Sequence, residues 1–335
     1  MTDGSPNVTP YRTRVEARSL LMALSQALSW QEAALDVLRD RCGDIQERRV
    51  HQTWGDRVVI EARTARFPRG VVLKASREQS VRAEVYAARC AERAGVPVPA
   101  ILAEGTDERL PGQDWFVMRR AEGQPWAMVA QVDAQRARTL ADIGHVFASL
   151  HGVRMRNYGP LTPSLGGRYR SWAGWLHAEL LACAQPLIRE GHLPPHFMRL
   201  AEDVLRSLAP QLENVRPALV HGDLGDQEIF VDARSGAVTA IVDWGDALCG
   251  DALYDFARFV AGGPAADERP ALYLPDVKQA YARDVGCDPA ALEGQVPALY
   301  AMHNAVRNAA WCVREESAWI GDLCAHAMSI VSTLR

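Results

Sequence analysis

The stretch from 218 to 246 constrains the fold of this chain more than any other part of its sequence. It carries three short apolar runs that are typical of buried strands, at 218–220, 229–232 and 238–242, and polar loops separate them. A turn at 234–236 joins the second run to the third. Reactive side chains commonly stand on loops that a rigid scaffold positions. The pattern therefore predicts a small sheet with a polar loop at its end.

Three carboxylates occupy these loops: Asp223, Glu228 and Asp243. Hard oxygen ligands at such close spacing suit Mg²⁺ and phosphate chemistry. The alternative is a solvated hairpin that carries its acids only as surface groups. Acids bounded on both sides by buried-strand patterns are unusual in that role. We therefore expect a site at which Mg²⁺ and a phosphorylated ligand meet.

Three motifs resemble, in order and spacing, those of the aminoglycoside phosphotransferase-like kinases: HGDLGDQEIFVD at 221–232, IVDWGDA at 241–247 and GDALYDFA at 250–257. Together they are far more specific than a lone glycine-rich loop. The resemblance implies an α+β, protein-kinase-like bilobal fold, with a small β-rich N-lobe and a larger, mainly helical C-lobe. It also implies a kinase that acts on antibiotics or small metabolites.

The resemblance implies a role for each of the three carboxylates. Asp223 would be the catalytic-loop residue that orients the acceptor hydroxyl and accepts its proton, and Asp243 would hold Mg²⁺. Glu228 stands where the family usually has Asn, a neutral metal ligand. Its charge could strengthen Mg²⁺ binding or weaken nucleotide binding by repelling the phosphates. A catalytically degenerate, nucleotide-binding relative is therefore an open alternative.

The segment after residue 43 is predicted to form strands at 47–52, 58–62 and 71–75. The turn between the first two contains Gly55, where a kinase loop would cover the phosphates, although one glycine is weak evidence. Lys74 is one of two lysines in the chain. The resemblance pairs it with Glu84 to position the nucleotide, and Glu78 is the competing partner. The alternative is an edge-strand lysine that prevents aggregation.

Two further strands are predicted at 101–104 and 115–118, and residues 117–123, at the end of the second strand, resemble the hinge of the family. We expect the nucleotide base to lie against four hinge residues: Phe116, Val117, Met118 and Arg119. Because a hinge binds the base through backbone groups, ATP and GTP are not distinguished. The alternative is a plain linker between domains.

Helical spacing predicts two N-terminal helices, at 15–28 and, from a capping box at Ser29, through 38. We expect three regions: a helical extension over 1–42, an N-lobe over 43–120 with its hinge near 116–120, and a C-lobe over 121–335. The C-lobe would hold the catalytic loops at 218–246 and the substrate pocket.

Helical spacing predicts one N-lobe helix at 81–94 and C-lobe helices at 134–151, 169–184 and 297–334, with loops at 158–170 and 261–274. His151 and His221 are expected to support the structure. Gly250 and Asp251 are expected to hydrogen-bond backbone amides near the catalytic loop. The N-lobe helix at 81–94 carries Glu84.

The substrate pocket is expected in the helical lobe, where Trp311, Glu315 and Trp319 recur every four residues on one predicted helical face. Two indoles and an acid would suit a polyhydroxylated or cationic acceptor. Asp226, beside the catalytic loop, is a further candidate contact. The alternative for the helical face is core packing with one solvated acid.

Composition excludes several classes of protein. A formal net charge of −4 argues against nonspecific nucleic-acid binding. Seven cysteines without Cys-x-x-Cys pairs are typical of reduced thiols rather than a disulfide framework or a zinc site. No signal sequence is evident, and no apolar run approaches the roughly 20 residues that a membrane-spanning helix needs. We therefore expect a cytoplasmic monomer or homodimer, without membrane or nucleic-acid partners.

The expected function is ATP- (or GTP-) dependent transfer of the γ-phosphate to a hydroxyl of a small molecule, with Mg²⁺ as cofactor. An aminoglycoside-type or related antibiotic is the favoured acceptor. A metabolic kinase of a sugar or amino alcohol is the main alternative.

Overall fold

The computed structural model of this chain describes residues 10–52, 56–162, 166–261, 269–314 and 317–334. The chain forms two compact units. The first contains Met1–Val81 and Ala100–Arg120, and the second contains Arg82–Pro99 and Ala121–Arg335. Among the described residues, no helix combines the length and apolarity needed to cross a bilayer.

The first unit is built on a five-stranded antiparallel sheet of order β1-β2-β3-β5-β4. Its strands confirm the five predicted in this region, and their bounds are β1 Ile45–Gln52, β2 Arg57–Thr64, β3 Val71–Ser76, β4 Ile101–Thr106 and β5 Asp114–Arg119. Alternate residues of β2 are buried, which is the period of a strand with one face on a core. That face packs against Trp30, Ala34 and Leu38 of the N-terminal helix.

The N-terminal helix α1 is continuous over Pro10–Cys42, so the prediction of two helices that meet at Ser29 is wrong. No glycine or proline interrupts residues 11–42, and an interior serine costs a helix only about half a kcal/mol. Gly43 ends α1 with a φ of 92°, and its amide donates to the Arg39 carbonyl oxygen at 3.0 Å. A left-handed glycine is the usual residue after a helix C-terminus.

The second unit is mainly helical. Its helices are α2 Val81–Arg93, α3 Asp133–His151, α4 Trp172–Arg189, α5 Phe197–Leu212, α6 Leu253–Ala261, α7 Arg269–Val285, α8 Gln295–Arg314 and α9 Ile320–Thr333. Its strands are β6 Gln124–Pro125, β7 Tyr158–Leu161, β8 Gly167–Tyr169, β9 Ala218–Val220, β10 Ile229–Val231, β11 Val238–Ile241 and β12 Leu248–Gly250. They form two small sheets, β11-β10-β6 and β8-β7-β12-β9.

The 158–170 segment was predicted as a loop, but the structure places β7 and β8 there. These strands are too short to show an alternating pattern, and glycines stand in both. Gly159 has a φ of 83°, and a Cβ atom there would lie 2.7 Å from the Trp175 ring. Gly159 therefore weakens the strand signal in the sequence, and its missing side chain allows β7 to pack on α4.

The C-terminal segment is two helices, α8 and α9, so the single helix predicted over 297–334 is wrong. After α8, the Ser317 amide donates to the Cys312 carbonyl oxygen at 3.0 Å. The Ser317 hydroxyl accepts a hydrogen bond of 3.4 Å from the Trp319 amide, and such local bonds compete with helix continuation. The loop predicted over 261–274 is wrong at both ends, because α6 includes Ala261 and α7 begins at Arg269; residues 262–268 lie outside the described residues.

Candidate functional site

The two loops with the predicted carboxylates are held together by strand pairing within the second unit. β9 pairs with β12, so that Val220 faces Leu248, and β10 pairs with β11, so that Ile229 faces Ile241. Asp223 follows β9, Glu228 precedes β10, and Asp243 follows β11.

A backbone hydrogen bond joins Glu228 to the loop of Asp243, because the Val242 amide donates to the Glu228 carbonyl oxygen at 3.1 Å. Glu228 and Asp243 therefore lie at the same end of the β10–β11 pair. Asp223 and Glu228 are half-buried residues, and Asp243 is an exposed one.

Gly222 brings the two loops into contact. Its φ is 80°, and a Cβ atom at this position would lie 2.4 Å from the Asp246 carbonyl oxygen. No other amino acid could adopt this conformation so close to a backbone oxygen without displacing one of the loops. Position 222 thus requires glycine, because the loop that begins at Asp243 lies too close to leave room for a side chain.

Asp255, on α6, anchors the loop that carries Asp223. Its Oδ2 and Oδ1 atoms accept hydrogen bonds from the amides of His221 (3.0 Å) and Gly222 (2.8 Å). The His151 Nε2 atom lies 3.0 Å from the Asp255 Oδ2 atom, and the Asp255 side chain is fully buried. A buried carboxylate needs such donors to offset the loss of its hydration.

The sequence assigned a similar role to Gly250 and Asp251. Gly250 does pair with Ala218, on the strand that leads into this loop, but for Asp251 the prediction is wrong. Asp251 instead accepts hydrogen bonds from the Tyr300 hydroxyl at 2.6 Å and from the Leu253 amide at 3.0 Å, at the start of α6. Asp255 lies in the motif at 250–257, but neighbouring residues of a helix point in different directions, so Tyr254 and Phe256 gave no sequence signal that it is buried.

His221 supports both loops, as predicted. Its ring is buried, and its Nε2 atom lies 3.0 Å from the Val242 carbonyl oxygen, to which an N–H at that position donates. The ring centroid lies 4.7 Å from that of Trp244. His221 therefore links the residues immediately before Asp223 and those on either side of Asp243.

Asp243 has an unusual backbone conformation, with φ 62° and ψ 65° in the left-handed region. Among the described residues, only Gln113, Asn157 and Asp243 are non-glycine residues with a positive φ. Such conformations cost of order 1–3 kcal/mol and concentrate at functional sites. The 3₁₀ turn Trp244–Asp246 begins directly after Asp243 and is anchored by the buried Trp244 ring.

The Glu228 and Asp243 carboxylates are a donor set that fits Mg²⁺. The Glu228 Oε2 atom accepts a hydrogen bond of 2.9 Å from the Gly225 amide. A carboxylate offers about four lone-pair positions, so this bond and a metal ion can share it. In the part of the chain that the structure describes, no three His, Cys, Asp or Glu residues are grouped to enclose a metal. Mg²⁺ usually takes one or two carboxylates and completes its shell with phosphate and water.

The other predicted nucleotide contacts lie on several elements. Lys74 is buried on β3 of the first unit, and Glu84 is buried in the first turn of α2 in the second. Their ion pair stays a prediction, and Gly55 lies outside the described residues.

The four predicted hinge residues, 116–119, belong to β5, which is an interior strand. Phe116 is paired with Lys74 on one side and with Glu104 on the other. Because neighbouring strands use the backbone groups of this segment, its contacts with a nucleotide would come from its side chains. The role of these four residues stays a prediction.

The predicted aromatic and acidic face is not present as one helical face. Trp311 lies on α8, whereas Trp319 precedes α9, and the two are 45% and 46% exposed. Glu315 lies outside the described residues. Asp226 is held by its backbone, since its carbonyl oxygen accepts a hydrogen bond of 3.0 Å from the Ala127 amide. Contacts of these residues with substrate stay predictions.

Solved structures share this fold. A thermostable mutant of aminoglycoside phosphotransferase APH(4)-Ia, in ternary complex with AMP-PNP and hygromycin B, is 19% identical with a TM-score of 0.68. The match covers 89% of this chain and 97% of that one. The GDP complex of aminoglycoside 2'-phosphotransferase-IIIa is 15% identical with a TM-score of 0.59, over 89% of this chain and 97% of that one. The fold is therefore the protein-kinase-like fold of the aminoglycoside kinases.

The sequence also matches known proteins. The model of the phosphotransferase enzyme family matches residues 44–292, and the chain therefore belongs to that family. Hygromycin-B 4-O-kinase of Escherichia coli is 25% identical over 184 residues, which are 52% of this chain and 50% of that protein. Acyl-CoA dehydrogenase family member 11 of Pongo abelii is 24% identical over 170 residues, or 49% of this chain and 21% of that protein. The match thus covers 50% of the length of the first relative and 21% of the length of the second.

Proposed function

We propose that this protein transfers the γ-phosphoryl group of ATP to a hydroxyl group of a small molecule. The main support is the geometry of one loop: Asp223 follows a glycine that packs on the loop of Asp243, and Asp255 fixes the preceding amides. Family membership and the shared fold add independent support. GTP is an alternative donor, since one structure of the same fold is a GDP complex.

Asp223 has the chemistry that the acceptor requires. Its carboxylate would orient the acceptor hydroxyl and take its proton as the hydroxyl oxygen bonds to the γ-phosphorus. The bond from that phosphorus to the bridging oxygen breaks, and ADP leaves. Proton transfer by a positioned side chain contributes about 10²–10⁴-fold to such rates. The anchored loop would hold the carboxylate in line with the nucleotide.

Glu228 and Asp243 would hold Mg²⁺, which when bound neutralises charge on the β- and γ-phosphates. Lys74, with Glu84 as its partner, would bind the α- and β-phosphates. Phe116, Val117, Met118 and Arg119 would line the nucleotide base. The left-handed backbone at Asp243 would aim its side chain at the metal.

We propose an aminoglycoside-type antibiotic as the acceptor class. The relative that is a hygromycin-B 4-O-kinase and the structure that contains hygromycin B support this choice. Asp226 is the acidic candidate nearest in sequence to Asp223, and Trp311 and Trp319 offer exposed rings on the helical side.

The test is phosphoryl transfer by the purified protein with Mg²⁺ and ATP or GTP. The acceptors would be hygromycin B, other aminoglycosides, simple sugars and amino alcohols, and the readout would be the product mass. We expect an aminoglycoside to gain the mass of one phosphoryl group. Transfer only to sugars or amino alcohols would contradict the acceptor class, and transfer to none of them with intact nucleotide binding would contradict the activity.

The Asp203→Asn variant is a matched control for substitutions of the site carboxylates. Asp203 lies on α5 and pairs at the surface with Arg206 at 3.0 Å. An exposed pair of this kind contributes about 0–1 kcal/mol. This variant should therefore retain the activity of the wild-type protein.

A further inference from the structure

Arg307, on α8, makes polar contacts with three other elements of the second unit. Its Nε atom lies 3.3 Å from the Glu179 Oε1 atom on α4, and its Nη2 atom lies 3.6 Å from the Asp246 Oδ1 atom. Its Nη1 atom donates to the Tyr254 hydroxyl oxygen on α6 at 3.4 Å. The planar guanidinium of arginine can serve several partners at fixed angles, which a lysine ammonium cannot do equally well.

The partners of Arg307 are themselves held in place. The Tyr254 hydroxyl lies 3.0 Å from the His303 Nδ1 atom, one helical turn before Arg307. Burial, followed by the charge of Arg307, lowers the pKa of His303 to about 3, so its neutral ring can accept the Tyr254 hydrogen. Burial raises the pKa of Tyr254, which therefore keeps that hydrogen. The hydrogen bonds thus run in one direction, from Arg307 to Tyr254 to His303.

The charge of Arg307 is maintained in this setting. Burial lowers its pKa, but Tyr254, Asp246 and Glu179 raise it by more than burial lowers it. The Arg307 side chain is 21% exposed, against 39% for Asp246 and 30% for Glu179. Loss of the guanidinium would leave two partly exposed carboxylates without the cation between them.

Asp246 connects this arginine to the candidate site. It ends the 3₁₀ turn that begins directly after Asp243, and its carbonyl oxygen is the atom that excludes a Cβ at Gly222. A displacement of Asp246 would therefore move the residues next to Asp243 and the residue next to Asp223 together.

We propose that Arg307 is a positioning residue, which fixes the turn after Asp243 against the loop of Asp223 through its ion pair with Asp246. Its effect on rate presupposes the proposed function, whereas its effect on the turn does not. Arg307 acts through Asp246 and does not itself touch the reacting atoms.

The test compares the variants Arg307→Gln and Arg307→Lys with a control, Arg206→Gln, which removes an exposed arginine paired with Asp203. Hydrogen exchange measured by mass spectrometry would report on amides 244–248. We expect exchange there to rise about tenfold in Arg307→Gln, as local opening becomes easier, and to stay unchanged in the control. The exchange rate in Arg307→Lys should lie between those of the other two variants, because lysine keeps the positive charge but lacks the planar guanidinium that serves several partners.

Kinetics provide the second readout. In Arg307→Gln we expect kcat to fall about tenfold while KM for ATP changes by less than about threefold, as for an interaction that matters in the transition state. Should Arg307→Gln fail to fold, Asp246→Asn removes the same ion pair from the other side. This variant should accelerate hydrogen exchange at the same amides, 244–248.

The outcomes separate the two proposals. Unchanged exchange at 244–248 in both Arg307 variants overturns the positioning role, even if the wild-type protein transfers phosphate. Faster exchange in Arg307→Gln with a wild-type protein that transfers no phosphate supports the role in fixing the turn and contradicts the proposed function. Faster hydrogen exchange at 244–248 in Arg307→Gln with an unchanged kcat overturns the claim that the position of this turn affects phosphoryl transfer.

Discussion

The loop of Asp223 and the C-terminal helices α8 and α9 differ in how their positions are determined. The loop is held by backbone hydrogen bonds to one buried carboxylate, Asp255, and by a glycine that accommodates a neighbouring oxygen. The helices pack through side chains, on a core that includes Trp172, Tyr254 and Tyr300. Backbone anchors demand particular residues, whereas apolar packing accepts many combinations of similar volume. The first region therefore carries a readable motif, and the second does not.

The largest effect expected is that of Asp255→Ala. It removes the acceptor of three hydrogen bonds and leaves buried donors of His221 and Gly222 unsatisfied, at a cost of roughly 3–5 kcal/mol in stability. Phosphoryl transfer should be lost with it. Chemical denaturation would measure the first effect and transfer assays the second.

A control for Asp255→Ala is Asp284→Ala, because Asp284 also pairs with a histidine, His145, at 2.9 Å but at the surface. This control should change stability by less than about 1 kcal/mol. Equal effects of the two substitutions would contradict the anchoring role of Asp255.

A second test of the anchored loop is Gly222→Ala. The added Cβ would meet the Asp246 carbonyl oxygen in a backbone conformation that is already unfavourable for alanine, at a cost of roughly 2–4 kcal/mol. We expect a lower melting temperature and loss of activity. The matched control is Gly191→Ala, where φ is 80° but nothing lies within 4 Å of the added atom. If both substitutions cost the same, the close approach of the loops is unimportant.

The burial of His303 on α8 should make the stability of the protein depend on pH. The pKa of His303 is about 3 in the folded protein and rises towards its ordinary value of 6.5 on unfolding. Below pH 6.5 His303 therefore binds a proton in the unfolded chain but not in the folded protein, and the free energy of unfolding decreases as the pH falls. Between pH 7 and pH 5 this histidine should account for a loss of about 2 kcal/mol.

His303→Gln should remove that part of the acid dependence, whatever it does to stability at pH 7. Denaturation curves at pH 7 and pH 5 for both proteins give the comparison. An unchanged difference between the two pH values would contradict the burial of a neutral His303.

The smallest effects are expected at Trp311 and Trp319. Both side chains are nearly half exposed, so replacement of either by alanine should change stability by less than about 1 kcal/mol. If they contact the acceptor, KM for an aminoglycoside should rise while KM for ATP stays constant. An unchanged acceptor KM in both variants would remove them from the proposed acceptor site.

Short strand-like runs between turns were sufficient to predict the five strands of the first unit, and helical spacing predicted α2 to α4. The loops at 221–246 were predictable from their motifs. Asp255 was missed as the anchor, since its partners His221 and His151 lie 34 and 104 residues away in sequence. The break between α8 and α9 was missed because residues 313–320 contain no glycine or proline, and a serine such as Ser317 is a weak sequence signal for a helix end.

The most direct test of the central claim is phosphoryl transfer and nucleotide binding by Asp223→Asn, which keeps the size of the side chain and removes its ability to take a proton. We predict that turnover falls by about 10²–10⁴-fold while the affinity for Mg²⁺ and ATP stays within about threefold of that of the wild-type protein. A variant that transfers phosphate at the wild-type rate would contradict the account.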